Sequence, residues 1–160
     1  MTRLALVLLA VSLALGCNTA YQNAYERETQ RLETQAAAEQ RQQEAEYAEA
    51  SRYAAVVYFP TGSATVAEDG QRELRWFVQK MQPYPQAQVL VQGFADSTGA
   101  EATNQHLSEQ RALAVKAYLA SQGIAESRIT AQAFGTGSPA ATNATVKGRR
   151  DNRRVEVTVR

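Results

Sequence analysis

Hydrophobic and polar positions follow three different patterns along the chain. Residues 4–15 are almost wholly apolar, residues 18–52 are rich in Gln, Glu, Ala and Arg without Pro or Gly, and short apolar runs alternate with helical periodicities from residue 53 onward. Because each pattern suits a different kind of structure, three parts are predicted. These are an export signal at 1–16, a helical spacer at 17–52 and one folded domain at 53–160.

The third part alternates between strand and helix signals. Short β-branched or aromatic runs predict strands at 54–59, 89–92, 129–134 and 155–159. Apolar residues at helical spacing predict a helix at 66–81, with Thr65 and Glu68 as a capping box, and a second helix that ends before Gly123. This order predicts an α/β fold, a two-layer α+β sandwich of the βαβαβ type.

The first part has the form of a bacterial lipoprotein signal. Arg3 precedes the apolar run, which is too short to span a bilayer comfortably, and small Gly16 precedes Cys17. Cys17 is the only cysteine, so no intramolecular disulfide can form, and Ala14-Leu15-Gly16 resembles a lipobox cleaved before an acylated cysteine. The alternative is a signal peptide cut elsewhere, with the thiol discarded or free. Asn18 resembles the residue after the cysteine in lipoproteins that reach the outer membrane.

The second part favours helix by intrinsic propensity but is not strongly amphipathic. We therefore predict a solvated spacer, which would reach about 50 Å if fully helical, and a self-associating helix is the alternative. Residues 18–52 carry seven acidic and four basic side chains, whereas residues 53–160 carry nine acidic and twelve basic ones. Neither part is charged enough to indicate nucleic-acid binding by itself.

Two polar residues fall within the apolar arc of the second helix. On a helical wheel Leu107, Ala114 and Tyr118 define that arc, and Arg111 and Asn104 lie inside it near the amino end of the helix. Burying them is unfavourable unless both find partners. Asp96 is close enough in sequence to fold back toward Arg111. Periodicity leaves two interpretations open: a binding pocket, or an internal Asp96–Arg111 salt bridge with Asn104 bracing the loop.

Three separately placed motifs resemble the OmpA-like C-terminal peptidoglycan-binding family, which includes the Pal lipoproteins and MotB. They are Gly93-Phe94-Ala95-Asp96-Ser97-Thr98-Gly99, Asn104-x-x-Leu107-Ser108-x-x-Arg111-Ala112 and Gly148-Arg149-x-x-Asn152-Arg153-Arg154-Val155-Glu156. The resemblance covers roughly residues 53–160. It implies an OmpA-like βαβαβ domain that binds peptidoglycan noncovalently.

The resemblance also implies a role for each matching residue. Asp96 would accept hydrogen bonds from the side-chain ammonium of diaminopimelate in the stem peptide, and Arg111 would take the neighbouring carboxylate in a bidentate fork. A lysine in place of diaminopimelate lacks that carboxylate, so discrimination between wall types is expected. Asn104 and Leu107 would shape the pocket, backbone amides around Asp96 would complete the hydrogen bonding, and Arg153, with Asn152, would buttress the wall and face the ligand.

The loop departs from the family pattern at two of these positions. The family often has Gly-His-Thr or Gly-Tyr-Thr before the aspartate, whereas Phe94 and Ala95 stand here, which would weaken loop ordering or affinity while backbone contacts survive. The basic segment around Arg149, Arg150 and Arg154 suggests phosphate binding in isolation, but the export signal argues against nucleic acid. Surface solvation is the alternative for these three arginines.

The function predicted from the whole chain is a lipid-anchored outer-membrane protein whose periplasmic domain binds peptidoglycan and tethers the membrane to the wall. Neither an enzyme, a cofactor nor a metal is expected, because His106 lacks a metal-binding or catalytic cluster and no nucleophile motif stands out. The alternatives are an envelope interaction or signalling protein, with a Tol-type partner and secondary wall binding, and an enzyme acting on peptidoglycan. A MotB-like channel would need a spanning helix with an intramembrane acid.

Overall fold

The computed structural model describes the backbone of residues 2–160 and the side chains of residues 19–160. In chain order the helices and strands are α1 (Thr2–Ala50), β1 (Ala55–Tyr58), α2 (Glu68–Met81), β2 (Val89–Gly93), α3 (Glu101–Ser121), a 3-10 turn (Glu126–Arg128), β3 (Ile129–Ala133), α4 (Val146–Asn152) and β4 (Arg154–Val159). The predicted export signal and the predicted acylation at Cys17 lie outside the residues whose side chains are described.

The chain divides into two compact units, the first ending at Glu44 and the second comprising Ala45–Arg160. In the first unit the helix confirms the predicted conformation, and its larger apolar side chains, including Tyr21 and Leu32, are exposed. The second unit begins within α1, before the predicted domain start at 53, because Ala50 is buried in its core. Across the residues described, no helix is both long and apolar enough to cross a membrane.

A mixed four-stranded sheet forms one layer of the second unit. The strand order is β1-β4-β2-β3; β4 pairs antiparallel with both neighbours, and β2 and β3 are parallel. Helix α2 packs on β1, and α3 packs on β2 and β3. This arrangement confirms the predicted two-layer α/β fold, with the last strand of the chain inserted between the first two.

Alternating apolar residues on the strands meet the apolar faces of the two long helices. Fully buried members of this core include Val57, Leu74, Phe77, Val91, Val115, Leu119, Val155 and Val157. The predicted capping box at the start of α2 is wrong, because the N-cap is Ala67 and makes no side-chain cap bond. Thr65 lies before the helix, where its N–H donates to Ser63 Oγ at 3.1 Å.

Gly93 allows the end of β2 to approach α3 closely. A Cβ built at this position would lie 2.1 Å from the Ser108 carbonyl oxygen, so any side chain would force the strand and helix apart. Ser108 is itself fully buried, and its Oγ accepts a hydrogen bond from Gly135 N at 3.0 Å. The close packing fixes the loop after β2 over the amino end of α3.

Candidate functional site

A pocket of about 130 Å³ lies where the loop after β2 meets the first turns of α3. The loop between β1 and α2 and the residue that precedes β4 complete its wall. The lining residues are Thr61, Gly62, Ala95, Asp96, Thr98, Thr103, Asn104, Leu107, Arg111 and Arg153. Six of the seven predicted binding residues therefore come together, although they lie on three separate segments of the chain.

Arg111 is fully buried at the base of this pocket. It donates from Nε to Ser63 O at 2.9 Å, from Nη1 to Phe94 O at 3.0 Å and from Nη2 to Pro60 O at 3.1 Å. Burial, and to a lesser degree repulsion by Arg153, lowers the pKa of Arg111 to about 10, while attraction by Asp96 opposes this shift. The guanidinium stays charged at neutral pH and binds two loops to α3.

Asp96 pairs with Arg153 and not with Arg111. Its Oδ2 accepts from Arg153 Nη1 at 2.7 Å, and its Oδ1 accepts from the backbone N–H of Thr98 at 2.9 Å. The interpretation of an internal Asp96–Arg111 salt bridge is therefore wrong. Burial raises the pKa of Asp96, but the hydrogen bonds from Arg153 and Thr98 and the charge of Arg153 outweigh it, so the pKa lies below its usual range.

Hydrogen bonds through two asparagines, Asn143 and Asn152, support the loop after β2 on the side away from the pocket. The Asn152 side chain is fully buried; its Nδ2 donates to Asn143 Oδ1 at 2.8 Å and to Ala141 O at 2.8 Å. The Asn143 oxygen also accepts from Ser97 N at 3.2 Å. Arg153 adds a bond from its Nε to Phe59 O at 3.0 Å. Asn152 and Arg153 thus support the pocket wall, but only Arg153 lines the pocket, whereas Asn152 is fully buried behind it.

Asn104 has unused hydrogen-bonding capacity. Asn104 is only 4% exposed and lines the pocket, yet its side-chain amide has no hydrogen-bond partner among residues 19–160. The expectation that it braces the loop therefore finds no contact in support. Leu107 lines the same wall and is partly buried. An amide that opens onto a cavity and has no protein partner is available to a ligand.

Three of the backbone amides near Asp96 already have acceptors within the protein. The N–H of Ala95 donates to Gly135 O at 2.7 Å, and the N–H groups of Ser97 and Thr98 donate to side-chain oxygens of the loop and its support. These donors are already used. The loop is ordered by its own hydrogen bonds before any ligand arrives.

Phe94 contributes its backbone to the site but not its ring. Its carbonyl accepts from Arg111, whereas its side chain stacks on Phe134 with 5.3 Å between ring centroids and lies 4.0 Å beneath the guanidinium of Arg154. Arg154 is 6% exposed and pairs with Glu156 at 2.7 Å, so surface solvation is the wrong interpretation for this arginine. An aromatic ring without a polar tip suits the space beneath the guanidinium.

Sequence reasoning missed four residues of the pocket: Thr61, Gly62, Thr98 and Thr103. In the sequence, Pro60 and Gly62 are typical of a turn after the first strand and indicate nothing more. Nothing local indicated that this turn reaches the loop after β2, because the contact depends on the strand order. The left-handed backbone of Gly62, with φ of 69°, is the signal of a fixed turn there.

His106, the single histidine of the chain, does not line the pocket. His106 is exposed and lies 3.8 Å from Glu109 on the outer face of α3. No group of three His, Cys, Asp or Glu side chains suited to a metal ion occurs within the described part of the chain.

The OmpA family matches residues 58–153 of the chain. The probable lipoprotein YiaD of Escherichia coli is 41% identical over 103 residues, which are 64% of this chain and 47% of YiaD. The peptidoglycan-binding protein ArfA of Mycobacterium tuberculosis is 37% identical over 103 residues, 64% of this chain and 32% of ArfA. The matched region therefore spans less than half of each relative.

Solved structures show the same fold. The peptidoglycan-associated lipoprotein from Burkholderia pseudomallei aligns with a TM-score of 0.63 and 28% identity, covering 66% of this chain and 90% of that one. The cell wall anchor of the T6SS from Pseudomonas aeruginosa aligns with a TM-score of 0.57 and 34% identity, covering 66% and 79%. The match over residues 58–153, together with these relatives, shows that the chain belongs to the OmpA family and carries its non-enzymatic domain.

Proposed function

We propose that the pocket binds peptidoglycan noncovalently through the diaminopimelate residue of the stem peptide. The observation that carries the proposal is the unused polar capacity of Asp96, Asn104 and Arg111 within one pocket. Only three of the five N–H groups of Arg111 have acceptors, and the Asn104 amide has no partner. The Asp96 carboxylate accepts two hydrogen bonds and can accept about two more.

The charges of the pocket favour a ligand that carries both signs. Two guanidinium groups, Arg111 and Arg153, face one carboxylate, Asp96, so the cluster has an excess positive charge. The described residues offer Arg111 no ion-pair partner. A ligand carboxylate would supply the missing anion, and an adjacent ammonium would find Asp96.

The zwitterionic end of diaminopimelate has this chemistry. Its ammonium donates to Asp96, and its carboxylate accepts from the remaining N–H groups of Arg111 and from the Asn104 amide. Ala95 and Leu107 provide the apolar wall around its methylene groups. A lysine side chain would leave the Arg111 donors unpaired, which is unfavourable in a buried pocket.

The relatives and the segments outside the pocket support a proposal for the cellular role. Relatives include a probable lipoprotein, a peptidoglycan-associated lipoprotein and a cell wall anchor. With acylation at Cys17, the protein would be held in the outer membrane with its domain in the periplasm, and α1 would serve as the spacer. We propose that it tethers the outer membrane to the wall. A partner protein in the envelope is compatible with this role.

Cosedimentation of the full-length protein in detergent with purified cell walls tests the proposal. The protein is expected to pellet with diaminopimelate-type peptidoglycan and to stay largely in the supernatant with lysine-type peptidoglycan. Asp96→Asn keeps the shape of the side chain but removes its charge, and it is expected to weaken binding at least about tenfold, which corresponds to about 1.4 kcal/mol. Thermal unfolding would show that this variant is folded.

Asp151→Asn is the matched control. Asp151 also pairs with a cation, Lys147, at 2.7 Å, but it lies outside the pocket. This control is expected to bind like the parent. Equal sedimentation of the folded parent and Asp96→Asn variant, or equal binding to both wall types, would contradict the assignment of the pocket.

A further inference from the structure

A second and larger cavity adjoins the pocket. This groove, of about 560 Å³, lies beside the exposed side of β1, the first turns of α2 and the end of α4, and Val56, Tyr58, Arg72, Glu73, Arg150 and Arg153 are among the residues that line it. Arg153 lines the groove and the pocket alike. The two cavities therefore meet at one side chain, which is fixed between Phe59 O and Asp96.

The volumes of the pocket and the groove suit different parts of one long ligand. Ligand sites usually measure roughly 300–1,000 Å³, and the pocket at about 130 Å³ has room only for the end of one side chain. The groove falls within the usual range. If the pocket binds diaminopimelate, as proposed above, the rest of the peptidoglycan unit must lie outside it, and the groove is a neighbouring space of suitable size.

The groove has the side chains that sugars require. Tyr58 is 51% exposed and Val56 is 37% exposed, so an aromatic face and an apolar patch are open to solvent on an edge strand. Tyr58 supplies a flat apolar body and a hydroxyl that can donate and accept. The apolar faces of sugar rings pack on such aromatic faces.

Positively and negatively charged side chains flank the ring of Tyr58. Arg72 is already held by Glu68 and Asp69 on its own helix. By contrast, in the part of the chain with described side chains, neither the Arg150 nor the Glu73 side chain makes a hydrogen bond or ion pair. Arg150 offers donors to acetamido and hydroxyl oxygens, and Glu73 offers acceptors to hydroxyl groups. A neutral sugar with many hydroxyls uses both, whereas a simple anion uses only the first.

We propose that the groove binds the N-acetylglucosamine–N-acetylmuramic acid disaccharide of the same peptidoglycan unit whose stem peptide occupies the pocket. Tyr58 packs against a sugar ring, and Arg150 donates hydrogen bonds to it. Arg153 stands at the junction, so the peptide passes from the groove to the pocket beside it. The protein then recognises peptide and glycan together.

The test compares two soluble ligands in calorimetric titrations of the full-length protein in detergent. One is the free diaminopimelate-containing stem tetrapeptide, and the other is the same peptide attached to the disaccharide. The parent is expected to bind the disaccharide-peptide about tenfold more tightly than the free peptide, as two additional contacts of ordinary strength would produce. Equal affinity for the two ligands would overturn the inference.

Two groove variants locate the effect. Tyr58→Ser and Arg150→Gln change exposed side chains and are each expected to weaken binding of the disaccharide-peptide about fivefold while leaving the free peptide unaffected. Arg160→Gln, an exposed arginine just beyond the opposite end of β4, is the matched control and is expected to bind both ligands like the parent. A loss that is equal for both ligands would mean that the groove holds peptide and would also overturn the inference.

The pocket variant separates this inference from the function on which it rests. Asp96→Asn is expected to weaken binding of both ligands. If the parent binds the free peptide through Asp96 but the disaccharide adds nothing, the groove inference alone fails. If the folded parent binds neither ligand, the proposed function fails, and the groove inference fails with it.

Discussion

Arg111 is predicted to be the polar side chain on which the fold of this domain depends most. In Arg111→Met, the apolar chain fills a similar volume, but the carbonyl groups of Ser63, Phe94 and Pro60 lose their donor. All three carbonyls belong to loops that form the pocket. The substitution therefore separates the loops from α3 without opening a large cavity.

The magnitude follows from two opposing effects. Hydrogen bonds from a charged donor contribute about 1.5–3 kcal/mol each, so three of them amount to several kcal/mol. Burial of the guanidinium opposes this, and the same burial lowers the pKa of Arg111 to about 10. Since water can reach some of the freed loop carbonyls, we expect a net loss of about 3 kcal/mol in the free energy of unfolding.

Urea denaturation followed by tryptophan fluorescence measures this loss. Trp76 is the only tryptophan; it lies on α2 and contacts Tyr53 with ring centroids 6.1 Å apart, so its emission reports on the folded domain. A loss of about 3 kcal/mol would lower the midpoint by about 2 M urea at a slope typical of small domains.

Two further arginines serve as comparisons. Arg128→Met removes bonds to Tyr84 O and Ala87 O at a more exposed position and is expected to cost about 1 kcal/mol. Arg160→Met should have no measurable effect. The reasoning is refuted if Arg111→Met is as stable as the parent, because the desolvation of the cation would then cancel its three bonds.

Three other predictions address the charge, the packing and the support of the loop. The pKa of Asp96 is lowered in the folded state, so its stabilising contribution is present above the unfolded pKa of about 3.9 and is lost as pH falls through the lower folded value. Urea unfolding between pH 6 and 2 should show this loss of stability in the parent but not in Asp96→Asn. Identical profiles for the two proteins would contradict this prediction. Gly93→Ala places a Cβ 2.1 Å from Ser108 O and should destabilise the domain by about 3 kcal/mol. The Cβ of Gly62→Ala meets no atom within 4 Å, so this variant should lose only about 1 kcal/mol of stability, because of its left-handed backbone. Thermal unfolding ranks the two variants, and the reverse order would refute the packing argument. Asn143→Ala removes the acceptor for Ser97 N and should weaken peptide binding about fivefold, while thermal unfolding still shows a cooperative transition. Unchanged affinity in a calorimetric titration would show that the loop needs no support from Asn143.

Local sequence patterns located the strands and long helices of the folded domain to within about two residues. Alternation and helical spacing report which face of an element is buried, and that depends on neighbouring residues alone. Local patterns located the ends of helices and strands less accurately. The capping box assigned to Thr65 and Glu68 failed because α2 starts later, at Glu68 itself, with Ala67 as the cap.

The candidate site was predictable in part for a similar reason. Arg111 and Asn104 stood out as polar residues on an apolar helical arc, and both prove to be buried in the pocket. Their partners were not visible from the pattern. An Asp96–Arg111 salt bridge was one of two interpretations, because only residues near in sequence could be judged to be near in space.

The order of the strands set the pairings of these side chains and joined the pocket to the groove. Strand β4, the last in the chain, lies between β1 and β2, so Arg153 at its start arrives between Phe59 and Asp96 although it is far from both in sequence. Local patterns in the chain specified the helices and strands, their buried faces and the polar residues that needed partners. The strand order alone determined which partners they found, because pairing across a sheet brings together segments that no local pattern relates.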